Sequence, residues 1–296
     1  MIKAATIAGE LLKAFVNRAE IFFDVEGSGL KVTADSLVEK PVCVILHGGP
    51  AADHSSYRPW LSPLAELLQL VYVDHRGTGR SAEVPLETCT IEKIADDIEE
   101  LRRYLGIKTW IVMGSSFGGM WALTYAVQYP NTLSHLILID TAPSYDFRKE
   151  AEEHAQKYGT PEQKTVYKKV FEGKVSTKEE YLKWSEIMLP LYFRKYDSKI
   201  GRAMLSRMRG SPKLSQYMWK NVMPNYDIRP RLKEITIPTL ILAGKYDWVT
   251  PVSQSKILAS NIPNSKLVTF ENSGHHPFIE EQQLFIKTVL DFLQLS

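Results

Sequence analysis

The chain is short of several things, and each shortage removes a class of protein. Only two cysteines, Cys43 and Cys89, occur in 296 residues, so no disulfide framework organises the fold. Cys43 lies inside the apolar run Val42 to Leu46 and reads as core. A formal net charge of +2 offers no overall field for nucleic acid or a membrane surface. No apolar run approaches the roughly 20 residues that a membrane-spanning helix needs. The first stretch, Met1 to Val16, has some apolar character, but Glu10 and Lys13 interrupt it and no small-residue cleavage site follows. The expectation is a cytoplasmic protein with no signal peptide. Phosphate-binding glycine loops, dinucleotide fingerprints, internal repeats and low-complexity tracts are also missing. His47, Asp53, His54, Asp74 and His75 fall near expected loops, yet no spacing reproduces a zinc pattern such as H-E-x-x-H. We therefore expect no metal and no cofactor.

What remains is an ordinary composition, 44% apolar and 24% charged, on a chain long enough for one large core with an insertion. Apolar runs of strand length occur at Val42 to Leu46, Leu70 to Val73, Trp110 to Met113, Leu136 to Ile139, Thr239 to Ala243 and Lys266 to Phe270. Helical patterns lie between them, at Tyr57 to Leu68, Ile91 to Leu105, Gly118 to Tyr129, Val252 to Ala259 and Pro277 to Leu293. The best marked has Thr90 as its expected N-cap and Ile91, Ile94, Ala95, Ile98, Leu101 and Leu105 on one stripe. Strands alternating with crossover helices predict a mostly parallel sheet covered on both faces. Glu10 to Val16 and Ala19 to Val25, parted by Asn17-Arg18, predict an N-terminal antiparallel hairpin.

From Ser144 to Pro230 the alternation stops, and the pattern turns helical and rich in aromatics and methionine. A stretch of this kind between two core strands predicts a helical cap over the sheet that makes the substrate pocket. The expected division is core at 1–143, cap at 144–230 and core again at 231–296. Between Pro143 and Pro230 there are 18 Lys and Arg against 11 Asp and Glu. Turned inward, that excess disfavours an ammonium group; turned to water, the commoner arrangement for helical lysines, it has no bearing on the substrate.

Four short motifs carry the chemistry. They are His47-Gly48-Gly49-Pro50, Asp74 to Ser81 (DHRGTGRS), Gly114-Ser115-Ser116-Phe117-Gly118-Gly119 and Ser273-Gly274-His275-His276-Pro277. In the third, an apolar run precedes and an amphipathic stretch follows G-x-S-x-G, the strand, turn and helix setting that presents a serine hydroxyl as a nucleophile. The glycines two residues before and after Ser116 let that turn pass close to neighbouring elements. His47, Asp74 and Arg76 read as loop-building residues.

The order of these motifs over nearly the whole chain resembles the α/β-hydrolase fold, and HGGP with DxRGxGRS and a Gly-Ser-x-x-Gly-Gly turn resembles the prolyl iminopeptidase group. The resemblance implies a Ser-His-Asp triad in the chain order Ser, Asp, His. Ser116 is the expected nucleophile. Asp247, in the loop Gly244 to Pro251 that matches the family's acid loop, is the expected acid, and His275, 28 residues later, the expected base. Asp140, which also ends a strand, is the alternative acid, and His276 the alternative base. The oxyanion hole is expected from the Phe117 N–H and Gly49, with Gly48 as second choice. Trp248, Trp184, Tyr192 and Met218 are expected to touch substrate.

The resemblance also points at its own weak place. Prolyl iminopeptidases hold a peptide's N-terminal amine with carboxylates, one commonly placed directly after the catalytic aspartate, where this chain has Trp248. Ala51 replaces the last glycine of HGGPG. We therefore expect a serine hydrolase cleaving esters, lactones or small amides of a small, partly apolar substrate. Prolyl iminopeptidase activity is the alternative, with Glu150, Glu153, Glu179, Glu180 and Glu186 as carboxylates that could reach the pocket. A slow-turnover small-molecule binder of the same fold is the other. No nucleic-acid or membrane partner is expected, and the oligomeric state stays open.

Overall fold

Strand order explains how residues so far apart in sequence come to share one edge. The computed structural model describes residues 12–295, so Glu10 and the start of the expected hairpin lie outside the described residues. Its main sheet has eight strands. In chain order these are β1 (Lys13–Val16), β2 (Ala19–Glu26), β5 (Val42–Leu46), β6 (Gln69–Val73), β7 (Trp110–Ser115), β8 (Leu133–Ile139), β9 (Thr239–Gly244) and β10 (Ser265–Phe270). The exposed pair β3 (Leu30–Val32) and β4 (Leu37–Glu39) forms a separate ribbon. The sheet runs β1-β2-β6-β5-β7-β8-β9-β10. β1 pairs antiparallel with β2 and β2 antiparallel with β6, while every pair from β6 to β10 is parallel. Six carboxyl ends therefore open on one side, where ligands of open α/β sheets bind.

The local reasons are legible. Asn17 and Arg18 both take positive φ, 47° and 62°, as a two-residue hairpin turn demands. β5 and β7, covered on both faces, are almost wholly buried, as parallel strands require. Helix α1 (Ile91–Tyr104) starts where expected, the Thr90 side chain accepting from the Lys93 N–H, and buries Ile91, Ile94, Ala95, Ile98 and Leu101. α2 (Phe117–Gln128) packs beside α1, and α9 (Val252–Asn261) crosses between β9 and β10.

Two helical expectations fail for identifiable reasons. Tyr57 to Leu68 is not a helix but two 3-10 turns, His54–Tyr57 and Ser62–Glu66. Pro59 and Pro63 withhold the N–H groups that a continuous helix would use. Pro277 to Leu293 is two helices, α10 (Pro277–Glu280) and α11 (Gln282–Phe292), broken at Glu281, whose φ of −126° and ψ of 45° are not helical. The freed Glu281 carboxylate accepts from the Asn272 N–H at 2.9 Å and the Ser273 hydroxyl at 2.7 Å.

Between β8 and β9 the chain runs through α3 (Phe147–Tyr158), α4 (Pro161–Val166), α5 (Lys168–Phe171), α6 (Lys178–Met188), α7 (Ser198–Arg207) and α8 (Pro212–Tyr217). α8 continues into a π-wound turn, Met218–Val222. The two ends of this insert are zipped together. Tyr145 N–H donates to the Tyr226 carbonyl and Ile228 N–H to the Pro143 carbonyl, both at 2.9 Å. Among the described residues no helix is long and apolar enough to cross a membrane.

Candidate active site

Ser116 occupies the turn between β7 and α2 with φ 57° and ψ −121°, a conformation that costs a non-glycine residue about 1–3 kcal/mol. Three hydrogen bonds hold it there: its N–H to the Ile139 carbonyl at 2.9 Å, and its carbonyl from the Gly119 N–H at 3.0 Å and the Thr141 hydroxyl at 2.7 Å. Gly118 is required by close approach, since a Cβ there would collide with the Leu46 carbonyl of β5.

On the neighbouring loops, Asp247 follows β9 and His275 follows β10. His275 Nδ1 lies 2.8 Å from Asp247 Oδ2. Because the carboxylate only accepts, Nδ1 carries the proton, and Nε2 keeps its lone pair. Asp247 also accepts from the Val249 N–H at 2.8 Å and the Thr250 hydroxyl at 2.7 Å. Burial alone would raise its carboxyl, but the opposing His275 and these donors outweigh it and hold Asp247 below the usual carboxylate range. The His275 N–H donates to the Tyr192 carbonyl at 2.7 Å, and the Gly274 N–H to Glu280 Oε2 at 2.7 Å. The backbone leading into the imidazole's attachment is therefore pinned.

Asp140 and His276 have other partners. Asp140 Oδ1 accepts the Gly244 N–H at 2.7 Å, and Oδ2 is buried with no donor. Burial, then the charge of Asp247, raises its carboxyl well above the ordinary value. His276 Nδ1 is buried without a partner, and burial takes its pKa down to about 3. It stacks on Tyr192 with ring centroids 5.9 Å apart.

The two glycines after His47 divide their labour. Gly48 N–H donates to the Tyr57 hydroxyl at 2.8 Å, so Gly48, the second choice for the oxyanion hole, has no free donor. A Cβ on it would stand 2.8 Å from Ser116 Cβ, so its smallness lets this loop touch the serine turn. Gly49, at φ 63°, and Phe117, the first residue of α2, face the same cavity with N–H groups that no strand or helix consumes. The loop behind them is braced by buried side chains. His47 contacts the Gly48 carbonyl at 2.9 Å and the Thr78 hydroxyl at 3.2 Å. Asp74 accepts from His54 Nδ1 at 2.7 Å and the Arg80 N–H at 2.8 Å. Arg76 forks onto Asp97 of α1, both bonds at 2.5 Å.

Ser116, His275, Gly49 and Phe117 line one cavity of about 160 Å³ under the helical insert. Of the residues expected at the substrate, Trp184 and Tyr192 line it and Trp248 and Met218 do not. Trp248, 1% exposed, sits behind the wall with its ring edge-on to Tyr192 and Phe171, and Met218 is fully buried in the core. Apolar periodicity marks both as inward, and inward meant packing. Sequence reasoning missed Tyr57, Tyr181 and Trp219, which also line the cavity and come from elements whose approach no motif announces.

The charged residues give a clear result. Among the described residues, no Lys or Arg lines the cavity, nor does any of Glu150, Glu153, Glu179, Glu180 and Glu186. Glu150 binds Gln254 Nε2 at 2.6 Å and the Ser253 hydroxyl instead. The one lining carboxylate among the described residues, Asp53, is engaged: Oδ1 accepts the Ser55 hydroxyl at 2.6 Å, and Oδ2 accepts the Arg209 N–H at 3.2 Å with Arg80 3.9 Å away. Among the described residues, no three His, Cys, Asp or Glu side chains gather as a metal site.

A parallel sheet that gathers a strained serine, an Asp-paired histidine and free backbone donors at its carboxyl edge defines a hydrolase of the α/β class. The family model described as the alpha/beta hydrolase fold matches residues 41–282, and the chain belongs to that family. Its relatives include the proline iminopeptidase of Saccharolobus solfataricus, 30% identical over 84% of this chain and 84% of that protein. Proline iminopeptidase PfmaB of Pestalotiopsis fici is 29% identical over 92% of this chain and 99% of that protein. Among solved structures, an alpha/beta fold family hydrolase from Bacillus anthracis str. Sterne superposes with a TM-score of 0.78 at 23% identity, over 96% of this chain and 99% of that one.

Proposed function

We propose that this chain is a serine hydrolase that cleaves esters or lactones of small, uncharged, partly apolar substrates through an acyl-enzyme. Ser116 Oγ attacks the carbonyl carbon and gives its proton to His275 Nε2; Asp247 holds the Nδ1–H and stabilises the imidazolium. The Gly49 and Phe117 N–H groups meet the oxyanion. As the bond to the leaving oxygen breaks, His275 returns the proton to it, and water repeats the sequence to release the acid. The observation that carries the triad is the 2.8 Å His275–Asp247 bond opening onto the cavity that Ser116 lines. The substrate reading is carried by the absence, among the described residues, of any free carboxylate in that cavity. An N-terminal ammonium buried there would lack the countercharge it needs. Residues 144–230 act as the cap, and the two unpaired, buried cysteines fit a cytoplasmic setting.

The relatives favour a second reading, proline iminopeptidase. Steady-state hydrolysis of p-nitrophenyl esters of graded chain length against Pro-β-naphthylamide separates the two, and faster turnover of the naphthylamide would overturn the ester reading. Ser116→Ala is expected to lower kcat on every substrate by about 10⁶-fold with an unchanged circular dichroism spectrum. A single acylation event without steady turnover would mark a binder instead.

A further inference from the structure

Buried tyrosines in this protein have hydrogen-bond partners, with one notable exception. Tyr57, Tyr72, Tyr125, Tyr167 and Tyr226 each bond a backbone group or a side chain. Tyr181, on α6, is 9% exposed and lines the cavity, and its hydroxyl has no hydrogen-bond partner among the described residues. The half-buried Tyr192 lines the same cavity in the same condition. Burial, with Asp53 nearby, pushes the Tyr181 hydroxyl up to about 12, and burial, then Tyr181 itself, pushes the Tyr192 hydroxyl up. Both are neutral O–H groups, near enough to influence one another. Neither hydroxyl is among the sealed, unpaired atoms of the interior; both open to the cavity, where a substrate hydroxyl can pair them.

Tyr192 ties its side of the cavity to His275. In ester cleavage the imidazole protonates the leaving oxygen, so the alcohol part of the substrate lies beside it. The Tyr192 ring stands edge-on to His275 with centroids 5.3 Å apart, and the Tyr192 carbonyl accepts the His275 N–H. Beside the nucleophile the wall is different: Phe117 meets Trp219 at 5.1 Å, and Trp219 meets Phe171 at 4.7 Å. That wall is aromatic, with the Trp219 Nε1 buried rather than presented to the cavity, and suits an acyl chain. Among the described residues, no free charge faces either side.

Building on the hydrolase reading, we propose that the substrates are esters with an apolar acyl group and an alcohol part that keeps a free, uncharged hydroxyl, which Tyr181 and Tyr192 hydrogen-bond. The released alcohol is then a diol or polyol. A site built to pair a hydroxyl discriminates strongly against the analogue lacking it, because its own groups are then left unpaired.

Glyceryl 1-monobutyrate and propyl butyrate share the acyl group and the three-carbon alcohol and differ only in the hydroxyls. With both followed by pH-stat, kcat/KM is expected to be at least about tenfold higher for monobutyrate. Tyr181→Phe and Tyr192→Phe, each checked by thermal melting, are expected to collapse that ratio toward one. Equal or faster turnover of propyl butyrate by the wild type, or a ratio untouched in a folded variant, overturns the inference and leaves the hydrolase reading standing. Labelling of Ser116 by a fluorophosphonate without turnover of either ester also overturns it. Absence of both labelling and turnover overturns the hydrolase reading instead.

Discussion

Asp140 shows how one residue's environment separates its role from that of an identical neighbour. Both Asp140 and Asp247 follow core strands and both are buried, yet only Asp247 meets a cation-forming partner, and only Asp140 is pushed to hold its proton. Like charges in one buried place cannot both ionise cheaply. Unfolded, Asp140 titrates near the ordinary carboxylate value of about 4. Folded, it keeps its proton to higher pH, so over that window the native state binds more protons and stability falls as pH rises. Asp140→Asn retains an acceptor for Gly244 and removes the titration. Its Tm relative to wild type is expected to climb as pH rises above about 4, and thermal melts from acid to neutral pH check it. A constant difference would show that Asp140 is ionised in the native protein.

At the scale of elements, the break between α10 and α11 turns a helix into a support for the catalytic loop. Continuous winding through Glu281 would satisfy local propensity; the observed break frees a carboxylate to hold Asn272 and Ser273, just ahead of His275. Glu280, before the break, holds Gly274 and the Lys195 N–H. Glu281→Ala is expected to lower kcat about tenfold with KM little changed, because a small displacement of a positioned base is felt in the chemical step. Glu281→Gln, which keeps an acceptor, should recover most of it. Equal losses in both variants would assign the effect to charge.

On the scale of the molecule, the insert is fastened to the core by side chains as well as by its zipped ends. Glu150 on α3 reaches Ser253 and Gln254 at the start of α9, beyond the loop that carries Asp247. Glu150→Ala is expected to destabilise by about 1–3 kcal/mol, the usual loss when buried partners are left unpaired. A double-mutant cycle with Gln254→Ala should show coupling above about 0.5 kcal/mol; additive effects would disprove the tie. The insert carries an excess of cations, and none of them lines the cavity. They face away from it and add no charge to its wall.

The linear chain determined the sheet, its hairpin, the insert and the order of the four motifs, because apolar periodicity and glycine placement act over short windows and parallel connectivity leaves few ways to assemble them. It also put Ser116, Asp247 and His275 forward in their places on the carboxyl edge. Tertiary structure alone decided that Gly48 donates to Tyr57, that Trp248 and Met218 stay behind the wall, that Glu281 breaks its helix, and that the insert's carboxylates miss the cavity. Each of these depends on which groups from distant elements meet. Inward-facing positions in sequence read the same whether they end against protein or against substrate, and only the packed chain separates the two.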